Sequence, residues 1–494
     1  MTNYDVAIVG LGPTGATLAN LLGQCGVNVL VLEREAAAYH LPRAIHFDGE
    51  IMRILQWIGV AEEIEPLTAL HPGMQFVDRD GRLLLDWPRP QGVGPQGWRT
   101  NYRFHQPDLE RLLRARADAL KTVSILNQCE VVTVEDKGDH VDIRYKDLVD
   151  QQTHDVSAEY VVGCDGARSV VRGCMQTDME DLGFHERWLV IDVILNQEKP
   201  ELGDHSIQYC VPERPATYVR GPGMRRRWEI TVLDDEDAED ISSPDSVWRL
   251  LSQWLTPEEA VLERSAVYVF HSLLAQKWRK GRLFLAGDSC HQTPPFMGQG
   301  MCAGLRDAAN LYWKLAAACR SPDDDANRLL DTYESERKPN AREYIETAIR
   351  LGGLINTAGT ENALRAAIPN PGGGTHMKSI APPLGPGLGR GPSAGKLFGQ
   401  PMLDDGRKLD EAYTHGFIAI SQSELAAAIA VPHEIPIITT DKAPAAAQHL
   451  DALDAKAVVL RPDRYVLAGA NSAEELDDLL AYAASISVAQ PALT

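Results

Sequence analysis

Asp5-Val-Ala-Ile-Val9-Gly10-Leu-Gly12-Pro13-Thr14-Gly15, then Ala16 to Gln24, then Val27-Asn-Val-Leu-Val-Leu32-Glu33, decides the fold of the N-terminal part. The first five residues are a short apolar run of the buried parallel-strand kind, and Val27 to Leu32 is another. Ala16 to Gln24 between them reads as a helix. This is a βαβ unit with Gly-x-Gly-x-x-Gly at the strand-to-helix turn. The first glycine permits the tight turn, the second lets backbone approach a pyrophosphate, and the third packs helix on strand. The helix N-terminus then faces the negative charge. Glu33 ends the second strand at about the 20-residue spacing where a carboxylate reaches ribose hydroxyls and repels a 2′-phosphate. The pattern predicts dinucleotide binding and leaves FAD and NAD both open.

Val6 to Leu32 has no charged residue and is long enough to cross a bilayer. Gly10, Gly12, Pro13, Gly15 and Gly26 interrupt it, so it reads as strand, turn, helix and strand instead. The chain has 494 residues, 44% hydrophobic and 24% charged, which excludes a largely disordered, collagen-like or coiled-coil protein. At roughly 100–200 residues per domain, two to four domains are expected. The net charge of −21 excludes nucleic acid and anionic membrane as general partners and leaves room for a small anionic ligand in a local cationic pocket. The eight cysteines are irregularly spaced with no C-x-x-C pair, so neither a disulfide framework nor a metal site is expected. No secretory n-region precedes the first strand, and a reduced, cytoplasmic protein is expected.

Further along, Asp108 to Leu120 reads as a helix, while Val123–Val134, Val141–Tyr145 and Tyr160–Val162 read as strands. From about residue 181 to 279 the pattern becomes alternating, with strands Trp188–Leu195, Ser206–Val211 and Trp228–Leu233 and an acidic loop at Asp234–Asp240. Arg282–Ala286 is a core strand again, and Met301–Cys319 is a long helix. Gly and Pro crowd residues 369–401, which reads as a linker. Beyond it lie strand Phe417–Ile420, a hairpin of Ala457–Leu460 and Tyr465–Ala468, and capping boxes at Ser421-x-x-Glu424 and Ser472-x-x-Glu475.

Two more motifs follow strands. One is Gly163-Cys-Asp165-Gly166-Ala-Arg168-Ser169-x-x-Arg172. The other runs Gly287-Asp288-Ser-Cys-His291-x-x-Pro294-Pro295-x-x-Gly298-Gln-Gly300-Met301-Cys302-x-Gly304-x-x-Asp307. With the N-terminal turn and Tyr333-Glu-x-Glu336-Arg337-Lys-Pro339, they resemble the group A flavoprotein monooxygenases, the para-hydroxybenzoate hydroxylase family. Leu41-Pro-Arg-Ala-Ile-His46-Phe, Gly298–Cys302 and Leu305–Leu311 resemble the 3-(3-hydroxyphenyl)propionate hydroxylase subgroup.

The resemblance implies an α/β fold. A discontinuous Rossmann-like FAD-binding domain would occupy 1–75, 98–180 and 280–368. A mostly antiparallel β-sheet substrate domain would occupy 76–97 and 181–279. After the 369–401 linker, 402–494 resembles a thioredoxin-like C-terminal domain, structural because it lacks C-x-x-C. It implies non-covalent FAD at Gly10, Gly12, Pro13, Thr14, Gly15, Glu33, Arg34, Arg43, Gln106, Asp165, Arg168, Gly287, Asp288, Pro295, Gly298, Gly300, Met301 and Cys302. Asp288 would bind a ribityl hydroxyl, and Asp165 and Arg168 would also meet the nicotinamide cofactor. Many relatives have Asn at Cys302, so only its backbone is carried over.

The implied reaction is hydroxylation of a phenolic ring, a phenolic acid by default, with NADH or NADPH and O2 through a flavin C4a-hydroperoxide. A same-fold reductase or dehydrogenase and a non-catalytic FAD-fold binding protein are the alternatives, and a homodimer is the assembly considered. Only one dinucleotide fingerprint is visible, so the nicotinamide would dock transiently. Candidate catalytic residues are Tyr209, Asp192, His46 and Pro295. Tyr209 aligns with a family tyrosine that helps deprotonate the phenol, against a core tyrosine. Asp192 puts a charge in an apolar run, structural or pocket-facing. His46 and His291 are tempting bases, against hydrogen-bonded structural histidines. Pro295 would wall the pocket beside the flavin. Arg220, Arg225 and Arg227 anchor a carboxylate or form a solvated loop.

Overall fold

Strands Tyr4–Val9 and Val29–Glu33 pair in parallel, with Val6 opposite Val29 and Val9 opposite Leu32. Their apolar residues are covered on both faces, as an uninterrupted hydrophobic run requires. The computed structural model describes residues 4–38, 41–322, 324–357, 380–429 and 434–486. Strand Thr153–Gly163 pairs with the other side of Tyr4–Val9, placing Gly163 beside Val9. Leu283–Leu285 lies beyond it, with Leu285 beside Gly163, and Val123–Asn127 flanks Val29–Glu33. Cys129–Asp136 and Val141–Asp147 attach antiparallel. Helices Pro13–Gln24 and Gly300–Arg320 pack together on this sheet, and the second is buried almost all round.

A second, eight-stranded sheet is antiparallel except where Ser206–Tyr209 pairs with Gly73–Val77. Its longest strands are Met179–Leu195 and Ala260–Ala275. Side chains alternate between its faces. Leu189, Ile191, Tyr218, Trp228 and Ile230 face outward under helices Ala238–Ser242 and Pro244–Leu251. Phe76, Trp87 and Trp188 are on the inner face, packed with Phe296 and Met297 from the third motif. The acidic stretch is not all loop, because Asp237 caps the short helix Ala238–Ser242 through the Glu239 and Asp240 amides.

The C-terminal unit has a mixed four-stranded sheet, in the order Ile437–Thr439, Ile418–Ser421, Ala457–Leu460, Val466–Ala470. Phe417, Ala457, Leu467 and Leu476 share the core of the first sheet, so this unit is fused to it through apolar contact. Residues 380–401 are not a free linker. Arg390, Gly395 and Phe398 donate backbone hydrogen bonds to Leu467, Val466 and Arg464, and Leu384 and Phe398 are buried. Residues 369–379 of that expected linker lie outside the described residues. The Ser421 capping box does not form. Ser421 ends a strand and its hydroxyl donates to the Gln422 carbonyl, so the short helix Ser423–Ala427 starts without a side-chain cap. At Ser472 half of the box forms: the Glu475 amide donates to Ser472 Oγ, but the amide that donates to the Glu475 carboxylate is that of Asn471. Among the described residues no helix is long and apolar enough to cross a membrane.

A buried polar seam joins the C-terminal unit to the rest. Glu336 accepts from Arg461 at 2.8 and 2.9 Å and from Lys314 at 2.7 Å. Asp410 accepts from Arg53 at 2.5 Å, Arg464 at 2.8 Å and Trp57 at 2.7 Å. Burial raises both carboxyls, but the paired cations outweigh it and hold each well below the usual carboxylate range. Groups depressed in the fold stabilise it above their ordinary pKa, and that stability is lost as pH falls through the folded value. Arg461→Met should therefore cost about 3–5 kcal/mol at neutral pH by stranding buried charge. The gap to wild type should narrow below about pH 4. Urea unfolding at several pH values measures it, and a neutral-pH difference under ~1 kcal/mol would contradict the seam's role.

Candidate active site

Val9, Gly163 and Leu285 are neighbours at the C-terminal ends of three parallel strands. The three sequence motifs therefore open from one edge, where ligands of parallel α/β sheets bind. Gly10 has φ +98°, and a Cβ there would meet the Cys164 carbonyl oxygen at 2.6 Å. A Cβ on Gly15 would meet the Gly10 oxygen at 2.0 Å. Gly12 differs: it is extended, with φ −70° and ψ −176°, and a Cβ there meets nothing within 4 Å. Helix Pro13–Gln24 starts at this open space with no side-chain cap and no acidic residue in its first turn. Its first amides and positive dipole end suit an anionic diphosphate. Thr14 packs between Gly287 and Gly304, where any Cβ would come within 2.7 and 2.3 Å of its hydroxyl. Glu33 is buried beside the loop and accepts from the Leu11 amide at 2.6 Å and the Glu35 amide at 2.9 Å. Arg34 points to solvent and pairs with Glu35.

Asp165 shapes the second motif. Its Oδ2 accepts from the Val170 and Val171 amides at 2.7 and 3.2 Å. Its buried Oδ1 has no hydrogen-bond partner among the described residues, and burial raises the carboxyl. Arg168 is exposed at the edge of the same loop. Gln106 acts as a strut: its Oε1 accepts from the Arg43 and Ala44 amides at 3.0 and 2.6 Å, and its Nε2 donates to Glu110 at 2.7 Å. The strut places Arg43, whose side chain is exposed.

Asp288 takes no hydrogen bond from the described residues. It is exposed by area, yet protein surrounds it closely enough for burial to raise its carboxyl, against the pull of His291 and Arg43. That combination marks the wall of a deep, open crevice. His291 is structural: it is buried and bonds Asp307 at 2.6 Å. A Gly12 cradle that a Cβ would fill, an uncapped helix and an unpartnered carboxyl fit a flavin dinucleotide.

Pro295 opens a single turn, and its carbonyl accepts the Gly298 amide at 2.8 Å. Gly298 has φ +63° and lies against the His46 ring, 3.1 Å from Nδ1 for an added Cβ. Gly300 begins helix Gly300–Arg320, with nothing within 4 Å of an added Cβ, and Met301 follows in the first turn. Cys302 is fully buried with its thiol toward the His46 and Gly298 carbonyls, so only its backbone serves the site.

His46 Nε2 is bonded to Asn101 Oδ1 at 3.0 Å. Burial, then Arg89, pushes His46 down to about 4. That disfavours a charged imidazolium, and with Nε2 engaged by Asn101 the ring is placed as a hydrogen-bonding wall.

Neither Tyr209 nor Asp192 is open to a substrate on the inner face. Tyr209 lies on the outer face, its ring 5.0 Å from Trp254 and its hydroxyl accepting from Trp254 Nε1 at 2.9 Å. One register step in a strand reverses the face, and sequence alignment alone does not resolve one step. Asp192 is buried and consumed by Arg227 at 2.7 Å and Arg264 at 2.6 Å. Arg227 is no solvated loop residue, because it also donates to the Pro42 and Arg43 carbonyls at 2.7 Å. Sequence reasoning passed over Glu229, a carboxylate on the inner face two residues from Arg227. Its signal was the alternation Arg227, Trp228, Glu229, Ile230 along a strand.

Gly12→Val should give a folded protein without flavin, since a Cβ there meets no described protein atom within 4 Å. Flavin absorbance after desalting and a thermal scan against wild-type apoprotein measure this; stoichiometric flavin would remove the assignment. Tyr209→Phe should leave product formed per nicotinamide oxidised at the wild-type value and cost about 1 kcal/mol of stability through the lost Trp254 bond. Uncoupling that Tyr209→Phe alone introduces would put the tyrosine back in the site.

The FAD binding domain family matches residues 3–348. A probable NADH-specific resorcinol 4-hydroxylase of Rhodococcus jostii (strain RHA1) is 43% identical over 70% of this chain and 65% of its own. A 3-(3-hydroxy-phenyl)propionate/3-hydroxycinnamic acid hydroxylase of Mycobacterium sp. (strain JLS) is 36% identical over 72% of this chain and 61% of its own. The chain thus spans less than two thirds of the length of these curated relatives. The crystal structure of the flavin-dependent monooxygenase PieE with FAD and substrate aligns over 99% of this chain and 100% of its own, with TM-score 0.81 and 19% identity. The rebeccamycin biosynthetic enzyme RebC with reduced flavin aligns over 98% and 99%, with TM-score 0.75 and 23% identity. Both likenesses are of fold. With its three motif loops on one sheet edge and more than half its length matched, the chain belongs to the FAD binding domain family.

Proposed function

We propose that this protein is a flavin-dependent monooxygenase that hydroxylates a small phenolic ring using NADH or NADPH and O2. The observation that carries the reading is the aromatic inner face of the second sheet. Trp188 packs on Phe296 at 5.7 Å, next to the loop that ends the cofactor crevice. These packed rings give the inner sheet face beside that loop an apolar, aromatic character suited to an aromatic ring.

FAD, when bound, supplies the hydride acceptor and the site of O2 activation. The chain's own residues bind and enclose. Gly12 and the amides of helix Pro13–Gln24 would hold the diphosphate, and Glu33 and Asp288 the hydroxyls. The first-turn amides of helix Gly300–Arg320, also without a side-chain cap, would stabilise negative charge on the flavin's polar edge. Phe76, Trp87, Trp188 and Phe296 would exclude water from the bound cofactor and ring. Pro295 would wall the pocket between cofactor and ring. Arg43, Arg168 and Asp165 rim the crevice where a nicotinamide cofactor would dock transiently. The C-terminal unit, a mixed sheet whose segment holds none of the eight cysteines, fits a thioredoxin-like appendage with a structural role.

The test is a panel of phenols with NADH or NADPH under 18O2. Nicotinamide oxidation that rises with a phenol, together with one 18O atom in the product, is the expected result. Substrate reduction without 18O would make the protein a reductase. No phenol-stimulated oxidation by an FAD-loaded sample would leave a binding protein.

A further inference from the structure

We propose that Glu229 grips a second hydroxyl of the aromatic substrate, so that the ring is a neutral benzenediol or triol and not a phenolic carboxylate. This rests on the monooxygenase reading and names its substrate class. Glu229 lies in one row across the second sheet, paired with Val190 on one side and Thr217 on the other. The row continues through Gln208 to Phe76. Phe76 belongs to the inner-face cluster that meets Phe296, so Glu229 is on the face turned to the cofactor loop.

Three observations set its chemistry. The carboxyl accepts no hydrogen bond among the described residues. It is close to fully enclosed but not sealed, with 14% of its side chain accessible. Burial raises it, and Arg227 acts against that. The cations nearby are engaged elsewhere, save the buried Nε of Arg264, which has no partner among the described residues. Arg227 is 3.7 Å away, but its Nε and Nη groups donate to Asp192, Pro42 and Arg43. Arg264 pairs with Asp192 at 2.6 Å and donates to Tyr268 at 3.1 Å.

Arg227 and Arg264 oppose the rise that burial and the Asp192 charge impose on Glu229, and its lone pairs stay open. A phenolic hydroxyl is the donor such an acceptor lacks, and a charge-assisted bond of this kind is among the stronger ones. A substrate carboxylate would instead add uncompensated negative charge beside it. Competing anchors for an acid are Arg264, whose buried Nε has no partner among the described residues, and Arg89, stacked 4.1 Å from the Trp87 ring and pushed down to about 10 by burial.

The full-length, FAD-loaded protein decides between them. Dissociation constants from the flavin absorbance change, and kcat/KM from nicotinamide oxidation, are measured for resorcinol, phenol and 3-(3-hydroxyphenyl)propionate. Wild type should favour resorcinol over the phenolic acid by at least about tenfold. Glu229→Leu should lower the resorcinol-to-phenol ratio by about 10–100-fold. Glu229→Gln keeps the shape and an acceptor oxygen without the charge. It should lie between the two and bind the phenolic acid more tightly than wild type does. An unmoved resorcinol-to-phenol ratio, a wild-type preference for the acid, or no binding of any of these rings overturns the proposal. If Glu229→Leu does not fold, Glu229→Gln and the wild-type panel still decide it. Binding with the expected ratios but without 18O incorporation would sink the monooxygenase reading and leave the Glu229 contact standing.

Discussion

The carboxylate of Asp307 accepts hydrogen bonds from the Gly287 amide at 3.0 Å, His291 Nε2 at 2.6 Å and Arg337 Nε at 2.9 Å, with no access to solvent. Burial raises it, yet the His291 and Arg337 charges together hold it below the usual carboxylate range. One side chain of helix Gly300–Arg320 thereby fixes the Gly287–Asp288 turn to helix Asp324–Thr357. Asp288 enters the crevice because Gly287, beside it, is pinned from behind. Asn310 and Lys314 follow Asp307 at intervals of three and four residues, on the same stripe of the helix. They carry the polar contact on to Glu336 and the C-terminal unit. Such a network adds little net stability over apolar packing of equal volume, but removing one member strands a buried charge.

A second chain of contacts reaches the flavin loop from the far end of the sequence. Tyr465 donates to Glu50 at 2.8 Å. Arg306 donates to Glu50 at 2.6 Å, to Asp48 at 2.5 Å and to Gln299 Oε1 at 2.9 Å. Gln299 lies between Gly298 and Gly300, so the C-terminal unit buttresses the turn that would wrap the flavin ring. A domain with no chemistry of its own can set the rigidity of a site this way, because a buried, fully hydrogen-bonded network has few alternative arrangements.

These carboxyls sort by whether a cation donates a hydrogen bond to them. Asp307, Glu336 and Asp410 have such partners and are held low. Asp165, Asp288 and Glu229 are raised, with burial the dominant cause. Those three line the crevice and the inner sheet face. Perturbed, under-partnered carboxyls gather where a ligand would complete their hydrogen bonds.

Much of this was legible in the chain itself. Apolar runs, glycine spacing and Glu33 specify a βαβ unit and a phosphate turn through local sterics: Gly10 and Gly15 are required because backbone atoms lie within 2.6 Å of where a Cβ would be. The order of the three motifs marks the cofactor cradle for the same reason, since each is a short-range turn. The substrate side was not legible. Tyr209 and Gln208 are adjacent in sequence and face opposite layers, and only pairing with Thr217 and Phe76 decides which looks inward. Asp192 read as either structural or pocket-facing, and Arg227 and Arg264, closing on it from two other strands, decide it as structural. The glycine-rich stretch read as a linker because its partners, Arg464 to Leu467, lie some seventy residues on. Strand parity and ion pairing are set by contacts between distant segments, so only the tertiary structure assigns them.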